Sequence, residues 1–330
     1  MALWHTGRAL TLLLLTSCSA SVLATEDDAT VWLERMIHSS HQLNYSGTFV
    51  YQQDGTLQSM KIFHAVNEYG ESERLVSLTG PNREVIRNRE RVTCFLPENS
   101  PIVVEQLGSP RPFPLKLPAD LGSLREHYDI SLEGEDRIAG LSARKVVIAP
   151  RDNYRYGQHF WVADDSGLLL RAEIVNDKGA IIEQLMFTSL EMHDTIPDAL
   201  LQLQFSGETR VLELDRQPWA ERVEPLATAQ QQRWQVAALP PGFLQQLKRN
   251  HYLPDKDSPV EHHVYSDGLA SVSVFVEMSS EDENAYTGAS SMGGVNAYSR
   301  QMDSHSVTVV GEVPPVTVKQ IAESLQPIQP

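Results

Sequence analysis

The chain reads as a mainly β protein with α+β character, built as a large antiparallel domain followed by a smaller α+β domain. Three observations predict this. Short alternating segments recur between residues 46 and 190, punctuated by Gly, Pro and Asn/Asp turn clusters. Helical spacing is confined to short stretches near the two ends. A mixed polar stretch, 213–231, carries Pro218, Pro225 and the run opening at Gln230, holds no sustained period, and reads as an interdomain linker. The expected organisation is a signal peptide at 1–24, a large domain at 25–212, the linker at 213–231 and a small domain at 232–330.

The first 24 residues read as a targeting segment. Arg8 is the only charge before Glu26, and Leu10–Leu15 is a compact apolar run too short to span a bilayer. Val22-Leu23-Ala24 fits a small-residue cleavage site. Leu15-Thr16-Ser17-Cys18 also resembles a bacterial lipobox, which makes a lipoprotein anchored through Cys18 the minor alternative. Either way the expected location is outside the cytoplasm. Cleavage at Ala24 leaves Cys94 as the single cysteine, so no intramolecular disulfide forms and stability rests on core burial. Cys94, in a strand-like run with no adjacent His, reads as a buried small side chain rather than a nucleophile.

Past Asp28 or Thr30, either of which suits a helix cap, Trp32, Leu33, Met36 and Ile37 share one helical face. Strand patterns follow at 46–52, 57–65, 74–78 and 84–96. Six prolines between Pro97 and Pro118 then exclude regular structure from most of 97–122, which reads as a long loop over the sheet. Strands resume at 127–132, 137–148, 159–162, 168–175 and 181–190, predicting a large, curved antiparallel meander.

In the small domain, Asp267-Gly268 reads as the two-residue turn of a hairpin. Beyond it Val272, Val274 and Val276 fall on one face, and Ser271, Ser273, Phe275 and Glu277 on the other. Residues 279–291 are acidic and small, as in a loop. Val318, Ile321, Ala322 and Leu325 share the face of a short closing helix.

Chemistry-bearing motifs are missing. The sequence holds no Gly-x-Ser-x-Gly elbow, phosphate loop, His-Glu-x-x-His or Cys-x-x-Cys, so the expectation is no catalytic residue, no metal, no cofactor and no enzyme activity. His262 and His263 are adjacent, but on a strand their rings point to opposite faces, which is poor for one metal. A formal net charge of −16 argues against nucleic-acid binding. Arg87, Arg89 and Arg91 share a face of an unbroken strand, offering either ion pairs with nearby acids or a local basic patch. Tyr154-Arg155-Tyr156 offers either a contact surface or sheet packing with cation–π support.

Eight strings in order carry a family resemblance: Leu43–Tyr51, Gly80–Arg87, Asp152–Tyr156, Gly167–Leu170, Trp234–Val236, Leu239–Phe243, His263–Glu277 and Val307–Pro314. From about Trp32 to Ile321 the chain resembles the sigma-E factor regulatory proteins of the RseB/MucB family. The resemblance implies an unclosed half-barrel of antiparallel strands like that of the lipoprotein carriers LolA and LolB, wrapped over helices, with a small α+β domain beside it. It implies a periplasmic negative regulator that binds the periplasmic part of a membrane-anchored anti-sigma factor and shields it from proteolysis. Lipopolysaccharide or lipoprotein acyl chains are the ligands it implies. On that reading Phe49, Tyr51, Phe63 and Trp161 are candidate cavity walls, and Leu107, Phe113 and Leu115 of the Pro-rich loop a candidate cover. Tyr265, Asp267, Phe275, Arg87 and Arg89 are the candidate partner surface. The rival reading is a periplasmic lipoprotein carrier or acceptor, against which the small domain counts because carriers lack it.

The processing expectation is checked by intact mass. Cleavage at Ala24 gives a mature chain whose mass and mobility do not change with reductant; a diacylglycerol adduct on Cys18 would establish the lipobox instead.

Overall fold

A computed structural model describes residues 26–88, 92–95, 117–118, 120–202, 233–251, 258–279 and 287–328. The opening helix α1 spans Glu26–Gln42, starting ahead of both expected cap residues. Ala29, Leu33 and Met36 recur at helical spacing and are fully buried, with Trp32 and Ile37 packed at the margin.

Ten strands follow: β1 (Tyr45–Gln53), β2 (Thr56–Asn67), β3 (Gly70–Ser77), β4 (Glu84–Asn88), β5 (Val92–Phe95), β6 (Tyr128–Ile138), β7 (Leu141–Pro150), β8 (Gly157–Ala163), β9 (Leu169–Val175) and β10 (Ile181–Met192). They form one antiparallel sheet in the order β5-β4-β3-β2-β1-β10-β9-β8-β7-β6. Two meanders are thus joined where β1 pairs with β10, and the two outer strands remain unpaired with each other, so the sheet is open, as expected of a half-barrel.

Alternation along the strands gives the sheet two apolar faces. Phe160 and Val162 pack with α1, while their neighbours Trp161 and Ala163 join Ile138, Ala143 and Leu170 in a separate cluster. At the β1–β10 seam, a Cβ on Gly47 would lie 2.7 Å from the Ser189 carbonyl and 2.8 Å from the Phe187 ring, so only glycine fits. This lets Phe187 sit against Phe49, with ring centres 5.5 Å apart.

The expected strand at 84–96 is two strands. The chain reverses between Asn88 and Val92, and Arg87 faces Val92. Arg87 stands near the end of β4, while Arg89 and Arg91, the rest of the expected row, lie outside the described residues. Cys94 sits in β5 opposite Val85. The two expected strands at 127–132 and 137–148 form a longer hairpin, β6–β7, with its turn at Ala139-Gly140.

The small domain is a six-stranded antiparallel sheet ordered β12-β13-β14-β17-β16-β15. Its strands are β12 (Leu244–His251), β13 (Val260–Ser266), β14 (Ser271–Met278), β15 (Gly288–Met292), β16 (Val295–Met302) and β17 (His305–Gly311). A closing helix α2 (Pro315–Ser324) covers one face, with proline at its start where a missing N–H costs nothing. A short pair, β11 (Trp234–Val236) with β18 (Leu325–Pro327), ties the two ends of the domain together. Val272, Val274 and Val276 are buried against Val318, Ile321 and Ala322, as the alternation predicted. The hairpin turn is longer than expected: Ser266 is opposite Ser271, leaving a four-residue loop, 267–270. Residues 288–291, read as loop, belong to strand β15. The expected linker 213–231 lies outside the described residues, as does most of the Pro-rich stretch 97–122.

Near the end of α1, Glu71 is held between two histidines: His64 Nε2 lies 3.0 Å from one carboxylate oxygen and His41 Nδ1 3.0 Å from the other. Burial alone would push this carboxyl up, but the hydrogen bonds from His64 and His41 outweigh it and hold Glu71 below its ordinary value of 4.5. A depressed folded-state value gives stability that is present above 4.5 and lost as pH falls through the folded-state value. Glu71→Gln should therefore flatten the acid limb of thermal stability measured across that window. An acid limb identical to that of the parent chain would remove Glu71 from the account.

Candidate functional site

The connection from β7 to β8 carries Asp152-Asn153-Tyr154-Arg155-Tyr156. Asp152 shapes it by accepting the Tyr154 N–H at 2.9 Å and pairing with the Arg155 guanidinium. Facing it is the β13–β14 loop of the small domain. There Asp267 Oδ1 accepts the backbone N–H groups of Leu269 (2.9 Å) and Ala270 (2.7 Å), which fixes the loop, while Gly268 takes φ +100°.

The two loops meet through one ion pair. Arg155 Nε donates to Asp267 Oδ2 at 2.5 Å, and both side chains have 0% exposure. The Tyr128 hydroxyl donates to the same oxygen at 2.8 Å. Arg155 also donates to the Pro241 carbonyl. Its guanidinium lies 5.1 Å from the ring centre of Phe243 and 5.6 Å from that of Tyr128. Burial works against the charge on Arg155, but the hydrogen bond and charge of Asp267 overcome it and raise the guanidinium above its usual range. For the Tyr128 hydroxyl, burial and the Asp267 carboxylate both push upward, so it stays a donor.

Apolar contact surrounds the pair. Leu269 of the small domain enters the large-domain core beside Leu121 and Leu124. A Cβ on Gly242 would lie 2.0 Å from His127 Nε2, so the Pro-Pro-Gly turn approaches the large domain as only glycine permits. Two residues of the Pro-rich stretch reach this place too: Leu117 packs on the α1 core, and Pro118 Cβ lies 3.7 Å from where a Gly268 Cβ would be.

Further polar contacts extend the junction. Thr317 Oγ1 donates to the Tyr154 carbonyl at 2.8 Å, and Asn296 Nδ2 to the Tyr156 hydroxyl at 2.9 Å. At the far end the Gly294 N–H donates to Glu183 Oε1 at 2.7 Å and the Gly293 N–H to Asp54 Oδ2 at 2.6 Å. Tyr51 donates to Glu183 Oε2 at 2.6 Å and Gln53 to Oε1 at 2.9 Å, which orients this carboxylate.

The candidate residues read from sequence scatter differently. Phe49 and Tyr51 belong to the cluster around β1 and β10, Phe63 packs with Ile196 and Leu200, and Trp161 lies among Ile138, Ala143 and Leu170. They thus line three clusters rather than converging on one wall. Trp161 donates to Asp136 at 3.1 Å beneath Arg171, 4.4 Å from the ring centre. Leu107, Phe113 and Leu115 lie outside the described residues, as does Arg89. Arg87 is mostly buried and paired with Glu73. Tyr265 lies in the small-domain core, its hydroxyl 3.0 Å from His263 Nδ1. Asp267 is enclosed in the junction, so neither it nor Tyr265 is an open contact in this arrangement. Phe275 is half-buried on the sheet face away from α2, stacked on His262 with ring centres 4.3 Å apart. His262 and His263 do point to opposite faces, and His263 is enclosed with Glu261 at 2.7 Å. Among the described residues no cluster of His, Cys, Asp and Glu is arranged to hold a metal ion. The junction was missed in sequence because Arg155 and Asp267 stand 112 residues apart; the signal present was an Arg between two tyrosines in a turn.

Comparison with known proteins places this arrangement. Residues 28–205 match the model of the MucB/RseB N-terminal domain, and residues 228–326 that of the MucB/RseB C-terminal domain. The chain is 33% identical to the sigma factor AlgU regulatory protein MucB of Pseudomonas aeruginosa, over 97% of this chain and 98% of that protein. It superposes on MucB in the Pseudomonas aeruginosa MucA/MucB complex with a TM-score of 0.72 at 32% identity, covering 92% of this chain and all of that one. A further crystal structure, of MucB, gives 0.60 at 30% identity over the same 92% of this chain and 98% of its own. Both domains, in order and nearly end to end, therefore match one group of sigma factor regulatory proteins, and this chain belongs to the MucB/RseB family.

Proposed function

We propose that this protein is a periplasmic negative regulator of an envelope-stress sigma factor. It binds the periplasmic part of a membrane-anchored anti-sigma factor, shields that part from proteolysis, and does so without catalysis. The observation that carries the reading is the superposition of both domains together on MucB in its complex with MucA. No helix among the described residues is long and apolar enough to cross a membrane. The small domain and the junction are the contact region, because the strings most particular to regulators lie in and around them.

The regulatory input is an acyl chain entering the large domain. Linkage requires that such a ligand bind the partner-free form more tightly than the partner-bound one. Support comes from the Pro-rich stretch, whose neighbouring residues Leu117 and Pro118 lie respectively on the large-domain core and beside Gly268 of the small domain. A ligand that displaces this stretch acts directly on the junction.

Titration of the mature chain with a labelled anti-sigma periplasmic segment should give saturable binding and protect the segment from a protease. Removing residues 232–330 should abolish both effects, and full affinity in residues 25–212 alone would overturn the assignment to the small domain. Acylated ligand should compete with the segment on the intact chain. Replacing residues 102–117 by a Gly/Ser linker should weaken that competition. Equal segment affinity with and without ligand would remove the lipid input.

A further inference from the structure

We propose that Arg155 and Asp267 are the positioning pair of the partner-binding state: a buried electrostatic latch that holds the two domains in the orientation the partner reads. The proposal rests on the proposed function above and deepens it by naming the residues that set the binding-competent frame.

The latch follows from how the two charges are satisfied. Asp267 uses Oδ1 within its own loop, on Leu269 and Ala270, and Oδ2 across the junction, on Arg155 and Tyr128. Arg155 also donates from Nη1 to Asp152 of its own loop and from Nη2 to the Pro241 carbonyl of the small domain. Each partner is thus fixed within its own domain and completed only by the other. Separating the domains strands a guanidinium and a carboxylate that are fully enclosed when docked, and both must then rehydrate together. Intermediate separations are the worst case, because water enters a cleft only when it is wide enough to solvate both groups. Two discrete states result, rather than a continuous hinge.

The remaining contacts give the docked state its orientation. Tyr154, Arg155 and Tyr156 each bind a different small-domain element: Thr317 of α2, Asp267 of the β13–β14 loop, and Asn296 of β16. Three consecutive residues engaging three elements define a rotation as well as a distance. MucB in its MucA complex matches the present arrangement with the higher TM-score of the two MucB structures compared, at equal coverage of this chain.

The test measures domain orientation and partner affinity on the same full-length mature chains. Dyes carried on unnatural amino acids at the exposed positions 178 and 278 report the interdomain distance, and hydrogen exchange at the Phe49 and Val274 amides reports whether each domain is folded. Arg155→Met removes the cation. Asp267→Asn keeps the acceptor for Leu269 and Ala270 but turns an amide NH₂ towards the guanidinium, so it spares the loop and is the variant to rely on if Arg155→Met fails to fold. The wild-type chain should give one narrow distance distribution. Both variants should give a second, displaced population with both domains still protected, and should bind the periplasmic anti-sigma segment about tenfold more weakly or worse. Saturating segment should restore the single distance, which a merely structural lesion would not allow. Wild-type distance and affinity in Asp267→Asn would overturn the latch. Reduced affinity at an unchanged distance would overturn it as well, making the pair a direct partner contact. If the wild-type chain does not bind the segment, the proposed function fails, while the distances still decide whether the pair sets the orientation.

Discussion

A charge removed from water must be met by an opposite charge and by hydrogen bonds on every remaining side, and the junction of this protein is arranged around that requirement. Arg155 and Asp267 are both fully enclosed, and every group near them is placed to answer one or the other. Tyr128 donates to the carboxylate, Pro241 accepts from the guanidinium, and the rings of Phe243 and Tyr128 present their faces to the cation. The loop holding Asp267 is fixed by the same carboxylate, so the turn geometry and the interdomain contact depend on one side chain. Such a pair adds little net stability against an apolar substitute of equal shape; its value is that few other arrangements satisfy it.

The two sheets on either side supply rigidity to that contact. Each has one apolar face covered by a helix: α1 lies across β6 and β7 of the large sheet, and α2 covers the valine-lined face of the small one. The ends of β6 and β7 meet the junction directly, with Tyr128 opening β6 and Pro150 closing β7 just ahead of Asp152. The docking residues are therefore mounted on paired backbone rather than suspended on long excursions.

What was legible in the sequence divides by distance along the chain. The helix face of Leu33 and Met36, the alternation of Val272, Val274 and Val276, and most strands of the large sheet follow from local periodicity, because burial on one face imposes a period of 3.6 or 2. The two antiparallel strands within 84–96 read in sequence as the single strand expected there, because the stretch between Asn88 and Val92 carries no Gly or Pro signal. Tyr265 and Asp267 stood out by family string but sit in core and junction: a conspicuous polar residue in a recognisable motif tells that it is needed, not that it is exposed. The candidate wall of Phe49, Phe63 and Trp161 divided among clusters because neighbouring strand positions face opposite sides of the sheet. Contacts such as Tyr154 with Thr317, 163 residues apart, leave no local trace at all.

The seam between β1 and β10 carries a consequence for how the large domain comes into being. Every other neighbouring pair in the ten-stranded sheet is a hairpin between consecutive strands, but this one joins Tyr45–Gln53 to residues 183–192. Each meander of five strands can pair from within itself as soon as it exists. The seam must wait for the last strand, and it closes a loop of well over a hundred residues at an entropic cost that only the finished halves can offset. A chain that emerges from its N-terminus therefore presents β1, with Phe49 and Tyr51 along it, as an open edge through most of its own synthesis. The small domain, whose Leu269 enters a core built from α1, β6 and β7, docks onto a surface that is complete only after the large domain has folded, so assembly of this molecule runs in one order.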